Sequence, residues 1–248
     1  MNRIFLSLLA GFAMTATVAA ENWPSWRGPN GDGQSGESNV PVNWSETKNI
    51  IWKRSFAYNG HASPVVWEKR IFLIAADMDR ELRQLVCLDT RSGKTHWEKT
   101  VVKSPLERKH RLNSWASSTP ATDGKSVYIA FLDENKMVVA AYDFDGNRQW
   151  LVHPGVFSSR HGFCSSPVIW KDKLIVNGDH DGESYIVALD RETGKTIWKT
   201  PRPNKTRSYC VPTIYRLSNR NQMVLSGDPS IASHDPDTGK AHWYMDGP

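Results

Sequence analysis

Four short stretches gather the side chains best able to recognise a charged or flat ligand, each just ahead of a Ser/Thr/Val-Pro dipeptide. Tyr58 and His61 precede Ser63-Pro64, while Arg111, Asn113 and Trp115 precede Thr119-Pro120. Arg160, His161 and Phe163 precede Ser166-Pro167, and Arg207 and Tyr209 precede Val211-Pro212. Three of the four stretches set an arginine a few residues before an aromatic ring. A guanidinium beside a π face pairs with carboxylates and phosphates and stacks on planar groups. These residues would therefore bind a small anionic or aromatic ligand, or an extended peptide. The plainer alternative is packing between sheets with the arginines in water.

Bond-making chemistry has less support, and neither catalytic nor metal-ligating residues are expected. The 8 histidines form no HExxH, and no Gly-x-Ser-x-Gly elbow is present. Asn177-Gly178-Asp179-His180-Asp181-Gly182 alternates oxygen ligands like the front of a calcium loop. The position that should supply a bidentate carboxylate is Ala188, so a solvated hairpin loop is expected instead. Asn30-Gly31-Asp32-Gly33 reads as a glycine-rich turn. Cys87, Cys164 and Cys210 form no CxxC, no CxxCH and no adjacent pair. Cys87 lies in an apolar run and reads as a buried small hydrophobe. A Cys164–Cys210 bridge is open in an oxidising compartment, leaving one thiol unpaired.

The compartment is suggested by the start of the chain. A basic Met1-Asn2-Arg3, an apolar run from Ile4 to Val18 and the small Val18-Ala19-Ala20 describe a cleavable signal peptide over residues 1–20. The expected product is exported, periplasmic or secreted, with no integral membrane span after cleavage. The alternative is an uncleaved anchor. Of 248 residues, 31 are Lys or Arg and 26 Asp or Glu, a net charge of +5. The densest basic run, Arg108-Lys109-His110-Arg111, is short, so nucleic acid is not an expected partner.

The elements that must carry these residues repeat. Leu88-Asp89-Thr90-Arg91-Ser92-Gly93-Lys94-Thr95-His96-Trp97 recurs as Leu189 to Trp198, with Asp190 and Gly194, and as His234 to Trp243, with Asp235 and Gly239. A fourth copy, Tyr142 to Trp150 with Asp143 and Gly146, is one residue shorter. Trp97, Trp150, Trp198 and Trp243 are spaced by 53, 48 and 45 residues, and Trp52 lies 45 before Trp97. The proline dipeptides form a second column in register with the first. Each unit reads as four short strands, in the third about 166–170, 173–177, 184–190 and 196–200. The Asp accepts backbone N–H groups across a turn, the Gly takes the left-handed conformation, and the Trp fills space against the next sheet. Four-stranded repeats of this length build a β-propeller, and they account for most of the 11 tryptophans.

The turn-plus-Trp pattern, from Asn49 to Trp243, resembles the pyrroloquinoline-quinone (PQQ) repeat family. That family includes quinoprotein dehydrogenases and the non-catalytic BamB subunit of the outer-membrane β-barrel assembly machinery. The resemblance implies an all-β propeller with a closing strand over 49–56. Blades of four strands follow at about 60–100, 115–153, 163–201 and 209–248. The Trp/Gly/Pro-rich segment 21–48, opening Trp23-Pro24-Ser25-Trp26-Arg27-Gly28, looks like that of exported PQQ-like proteins. Family rings usually close with seven or eight blades, so an incomplete ring, or a half-propeller needing a partner half, is expected; the alternative is a closed ring of four blades. A dehydrogenase of this family would need PQQ, calcium ligands and a catalytic aspartate. No motif here matches them and no Cys-Cys pair is present, so none is carried over. The expectation is an exported, non-enzymatic binding or scaffold module without cofactor, whose partner is a protein or extended peptide. The alternative is a PQQ-dependent alcohol or sugar dehydrogenase, or a fragment of one, using PQQ with calcium.

Overall fold

A computed structural model describes residues 20–227 and 230–247; the segment read as a signal peptide falls almost wholly outside them. The described residues form four antiparallel four-stranded sheets and no helix. The first holds β1 (Val65–Trp67), β2 (Arg70–Asp77), β3 (Leu82–Asp89) and β4 (Thr95–Lys103). The second holds β5 (Ala121–Thr122), β6 (Ser126–Asp133), β7 (Lys136–Asp143) and β8 (Arg148–Val152). The third holds β9 (Val168–Trp170), β10 (Lys173–Gly178), β11 (Tyr185–Asp190) and β12 (Thr196–Pro201). The fourth holds β13 (Thr213–Arg216), β14 (Asn221–Gly227), β15 (Ser230–His234) and β16 (Ala241–Asp246). Strands follow chain order across every sheet, and β5 contacts β1 on one side and β9 on the other as the inner strands of successive blades. No helix is long and apolar enough to cross a membrane.

The core lies between blades. Phe72, Leu85 and Cys87 of the first blade meet Ile129, Val138 and Tyr142 of the second. Similar clusters join the second to the third and the third to the fourth. This explains why β7, which faces a blade on each side, is buried on both faces and reads as a continuous apolar run.

One device repeats at every interface. Asp89 Oδ1 accepts the N–H groups of Arg91 and Ser92 at 3.1 and 2.8 Å, and Asp190 Oδ1 does the same for Glu192 and Thr193. Directly before each Asp, the ladder slips by one residue in all four sheets, which makes room for the turn. Gly93, Gly146, Gly194 and Gly239 have φ between 66° and 82°. Each is also the seat of the previous tryptophan. A Cβ there would come within 2.5 Å of Trp52, 2.9 Å of Trp97, 2.7 Å of Trp150 and 2.5 Å of Trp198, respectively. The indole N–H of Trp52, Trp97 and Trp150 donates at 2.9 Å to a carbonyl of the same turn, from Thr90, Phe144 and Arg191. Trp198 keeps the stacking, but its buried N–H finds no partner among the described residues.

Among the described residues, 49–56 form no hydrogen-bonded strand; side chains hold the segment, Trp52 on Gly93 and Arg54 Nη1 donating to the Gly93 carbonyl at 2.9 Å. No other strand among the described residues lies beside the segment to pair with it. The 177–182 segment is a hairpin connection but is not solvated at its start: Asn177, Asp179 and His180 are buried.

Candidate functional site

Antiparallel order sorts the connections onto two ends of the sheets. The β1–β2 and β3–β4 turns and their repeats share one end, the turn face. The β2–β3 hairpins and the crossings from blade to blade share the other, the connection face. Most of the residues singled out in the sequence belong to the connection face.

Three successive crossings meet there. Asn113 Nδ2 donates to the His161 carbonyl at 2.8 Å, and Asn113 Oδ1 accepts from Ser114 N–H and Ser117 Oγ. Gly162 permits the approach, since a Cβ on it would lie 2.9 Å from Lys109. The His161 ring stands edge-on to His110 at 5.5 Å and tilts by 32° against Tyr209 at 6.0 Å. Tyr209 OH shares a 2.8 Å hydrogen bond with Ser159 Oγ, and Arg207 pairs with Asp181 at 2.7 Å. His161, Arg207, Ser208, Tyr209 and Gly227 line a cavity of about 240 Å³. Burial, followed by the charges of Arg207, Arg160 and His110, holds the His161 imidazole below its ordinary pKa. The site is thus cationic and aromatic, with exposed Arg160 beside it; Arg111 is exposed and makes none of these contacts.

A buried ion pair supports its floor. Asp179 takes Arg202 Nε at 3.0 Å and Nη2 at 3.3 Å, with both side chains fully buried. Arg202 Nη1 meets His234 Nε2 at 3.0 Å, and burial lowers the His234 pKa. This network ties the β10–β11 hairpin to the fourth blade and so sets Asp181 beneath Arg207. Ser159 was not singled out in the sequence, and Asp179 and Asp181 entered only as part of the 177–182 run that alternates oxygen ligands.

Other expected rim residues go elsewhere. Phe163 is 4% exposed and packs edge-on to Phe157 at 5.0 Å, so its ring belongs to the core. The apolar walls of the second and third blades claim it. Trp115 donates its indole N–H to the Glu107 carbonyl at 2.7 Å under Lys109. Tyr58 donates to Glu98 at 3.2 Å, and His61 is exposed with its backbone on Ala116; neither joins the His161 cluster. The three cysteines are free, with Cys87 and Cys164 each pushed up to about 11 by burial.

The turn face carries a second concavity. Trp23 pairs with Val66 through two backbone hydrogen bonds, and the segment Pro24–Gly31 then overhangs the inner strands of the later blades. The space between measures about 550 Å³.

The family model described as outer membrane protein assembly factor BamB matches residues 35–150, 80–207 and 135–248. Quinohemoprotein alcohol dehydrogenase ADH IIB of Pseudomonas putida is 27% identical over 118 residues, which are 43% of this chain and 17% of that enzyme. Among solved structures, BamB from Moraxella catarrhalis superposes with a TM-score of 0.56 at 16% identity, covering 80% of this chain and 55% of that one. A europium-containing methanol dehydrogenase gives 0.55 at 16% identity, covering 76% and 42%. The chain therefore spans about half or less of the length of these relatives, and the structural likeness speaks for the propeller fold.

Proposed function

The chain belongs to the PQQ-like repeat family, whose matching model is described as outer membrane protein assembly factor BamB, and from that premise we propose a non-catalytic recognition module. In this reading the propeller is exported and its connection face holds an acidic segment of a partner polypeptide. Export is supported by the signal-like residues 1–20. One observation carries the binding reading: Arg160, His161, Arg207 and Tyr209, drawn from two successive crossings, converge on one small cavity and its margin. A carboxylate entering there meets guanidinium donors, and a flat side chain meets the Tyr209 and His161 rings. Asp181 already neutralises part of Arg207, so a ligand carboxylate competes with it for the same donors.

The dehydrogenase relative motivates the other reading, in which PQQ would sit on calcium. The donors here do not fit such an ion: among the described residues no three His, Cys, Asp or Glu side chains group to hold one. No catalytic step is assigned.

The test is binding of a labelled acidic, tyrosine-containing peptide to the exported chain. Replacing Arg160 and Arg207 together by Ala should weaken binding by roughly tenfold to a hundredfold, as loss of two charge-assisted contacts does. Unchanged affinity would return both arginines to the solvated surface. Substrate-dependent dye reduction after adding PQQ and calcium would instead replace the recognition reading with the enzymatic one.

A further inference from the structure

We propose that the turn face binds a second extended polypeptide by strand addition to the free inner edges of β9 and β13. This site is separate from the connection face and does not depend on the function assigned there. Its basis is a repeated backbone position, the second residue after each column proline. In β1 that residue is Val66, whose N–H donates to the Trp23 carbonyl at 2.8 Å and whose carbonyl accepts Trp23 N–H at 2.9 Å. In the second blade it is Thr122, whose N–H donates to the Pro24 carbonyl at 2.8 Å. Two consecutive residues of the chain's own N-terminal segment thus dock on the inner edges of two consecutive blades.

The same column continues as Ile169 and Ile214. Val66, Thr122, Ile169 and Ile214 face Ile71, Val127, Leu174 and Met223 across their hairpins. The β9 hairpin reproduces the register of β1, with Trp170 opposite Lys173 as Trp67 is opposite Arg70. In the fourth blade, Leu217 N–H bonded to the Arg220 carbonyl at 2.9 Å sets the alternation. Residues 217, 215 and 213 then bond to β14, and the backbone of Ile214 turns the other way. Each of β9 and β13 is the edge strand of its sheet, and no strand among the described residues lies on its channel side. Ile169 and Ile214 both line the 550 Å³ space under Pro24–Gly31.

The observed docking states what the occupant needs. Its first residue must offer both an N–H and a carbonyl, as Trp23 does. Its second needs only a carbonyl, as Pro24 shows, and a proline there holds the residue before it extended. Charge adds a preference. Arg27 and Arg216 both line the space, and Arg216 stacks over Trp170 at 5.4 Å without an ion pair among the described residues. The ligand is therefore an extended X-Pro segment of a partner polypeptide, followed by acidic side chains.

The probe is an acetylated, amidated hexapeptide Glu-Asn-Trp-Pro-Glu-Glu, titrated onto the full chain while amide hydrogen exchange is followed. Exchange at the Ile169 and Ile214 amides should slow by about fivefold or more at saturation, with Val66 and Thr122 unchanged. Ile169→Pro and Ile214→Pro remove the two N–H groups at edge positions that tolerate proline, and each should weaken binding about fivefold to tenfold. Replacing the two terminal glutamates of the peptide by lysine should weaken it further. Three results overturn the proposal: no binding at millimolar peptide, binding without protection at Ile169 and Ile214, or altered exchange at Val66 and Thr122, which would mean displacement of the native segment. If a proline variant does not fold, the exchange pattern of the unsubstituted chain decides alone.

Discussion

The turn face is made four times from one short recipe, whereas the connection face is assembled from crossings of 17, 15 and 11 residues that share little sequence. On the turn face every Asp accepts N–H groups of its own turn and every glycine seats a tryptophan. On the connection face, partners differ at each crossing: Glu107 with Arg83, His161 with Asn113, Arg207 with Asp181. Repetition serves packing, since each interface must solve the same geometric problem. The crossings lie outside that geometry, so their sequences are free to differ.

The contrast can be pressed hardest through stability. Trp150→Ala, on the turn face, removes an indole that is 9% exposed and should cost about 3–5 kcal/mol in denaturant unfolding. Arg202→Ala, under the connection face, should cost a similar 3–5 kcal/mol, because Asp179 is left charged and buried. A cost well under 1 kcal/mol for Arg202→Ala would mean that the connection face is held by its loops alone.

A smaller effect separates the faces by pH. Hydrogen bonds from Ser92 and Thr193 hold Asp89 and Asp190 below the usual carboxylate range. A depressed carboxyl adds stability above its unfolded pKa, near 4, and that stability drains away as pH falls through the folded value. Asp190→Ala should cost about 1 kcal/mol at neutral pH and flatten the acid limb of the stability curve. His161 acts in a different window. Its folded pKa is also lowered, but for a histidine this means the unfolded chain takes up the proton first as pH falls below about 6.5. Stability from keeping His161 neutral is present above that pH and lost on acidification. His161→Gln should therefore lose less stability than the parent between pH 6.5 and 5, read from melts at fixed ionic strength. The smallest change expected is in binding, where an acidic peptide should gain affinity over the same pH interval. Affinity independent of pH would detach His161 from the ligand.

Trp150 and Gly194 were legible in the sequence because a turn motif repeated four times, in register with a second column, reads as a packing device. Even the ladder slip before each Asp follows from the turn chemistry written beside it. The limits are equally physical. The pairing of Asp179 with Arg202 and His234 joins residues 23 and 32 positions apart in unlike segments, and no period marks it. Phe163 read as a rim residue because it sits beside Arg160 and His161, yet a side chain two positions along a crossing can point into the core. The docking of Trp23 on Val66 was invisible for another reason: edge pairing uses the backbone, which every sequence carries alike.

The seating of each tryptophan on the following blade's glycine has a consequence for what counts as a module. A piece of chain excised as one sheet, such as 121–152, carries Trp150 without its seat at Gly194 and brings Gly146 without its guest Trp97. The smallest transplantable part is therefore the joint between two sheets. Shuffling, duplication or grafting in this architecture succeeds when the breakpoints fall inside blades and spare the joints.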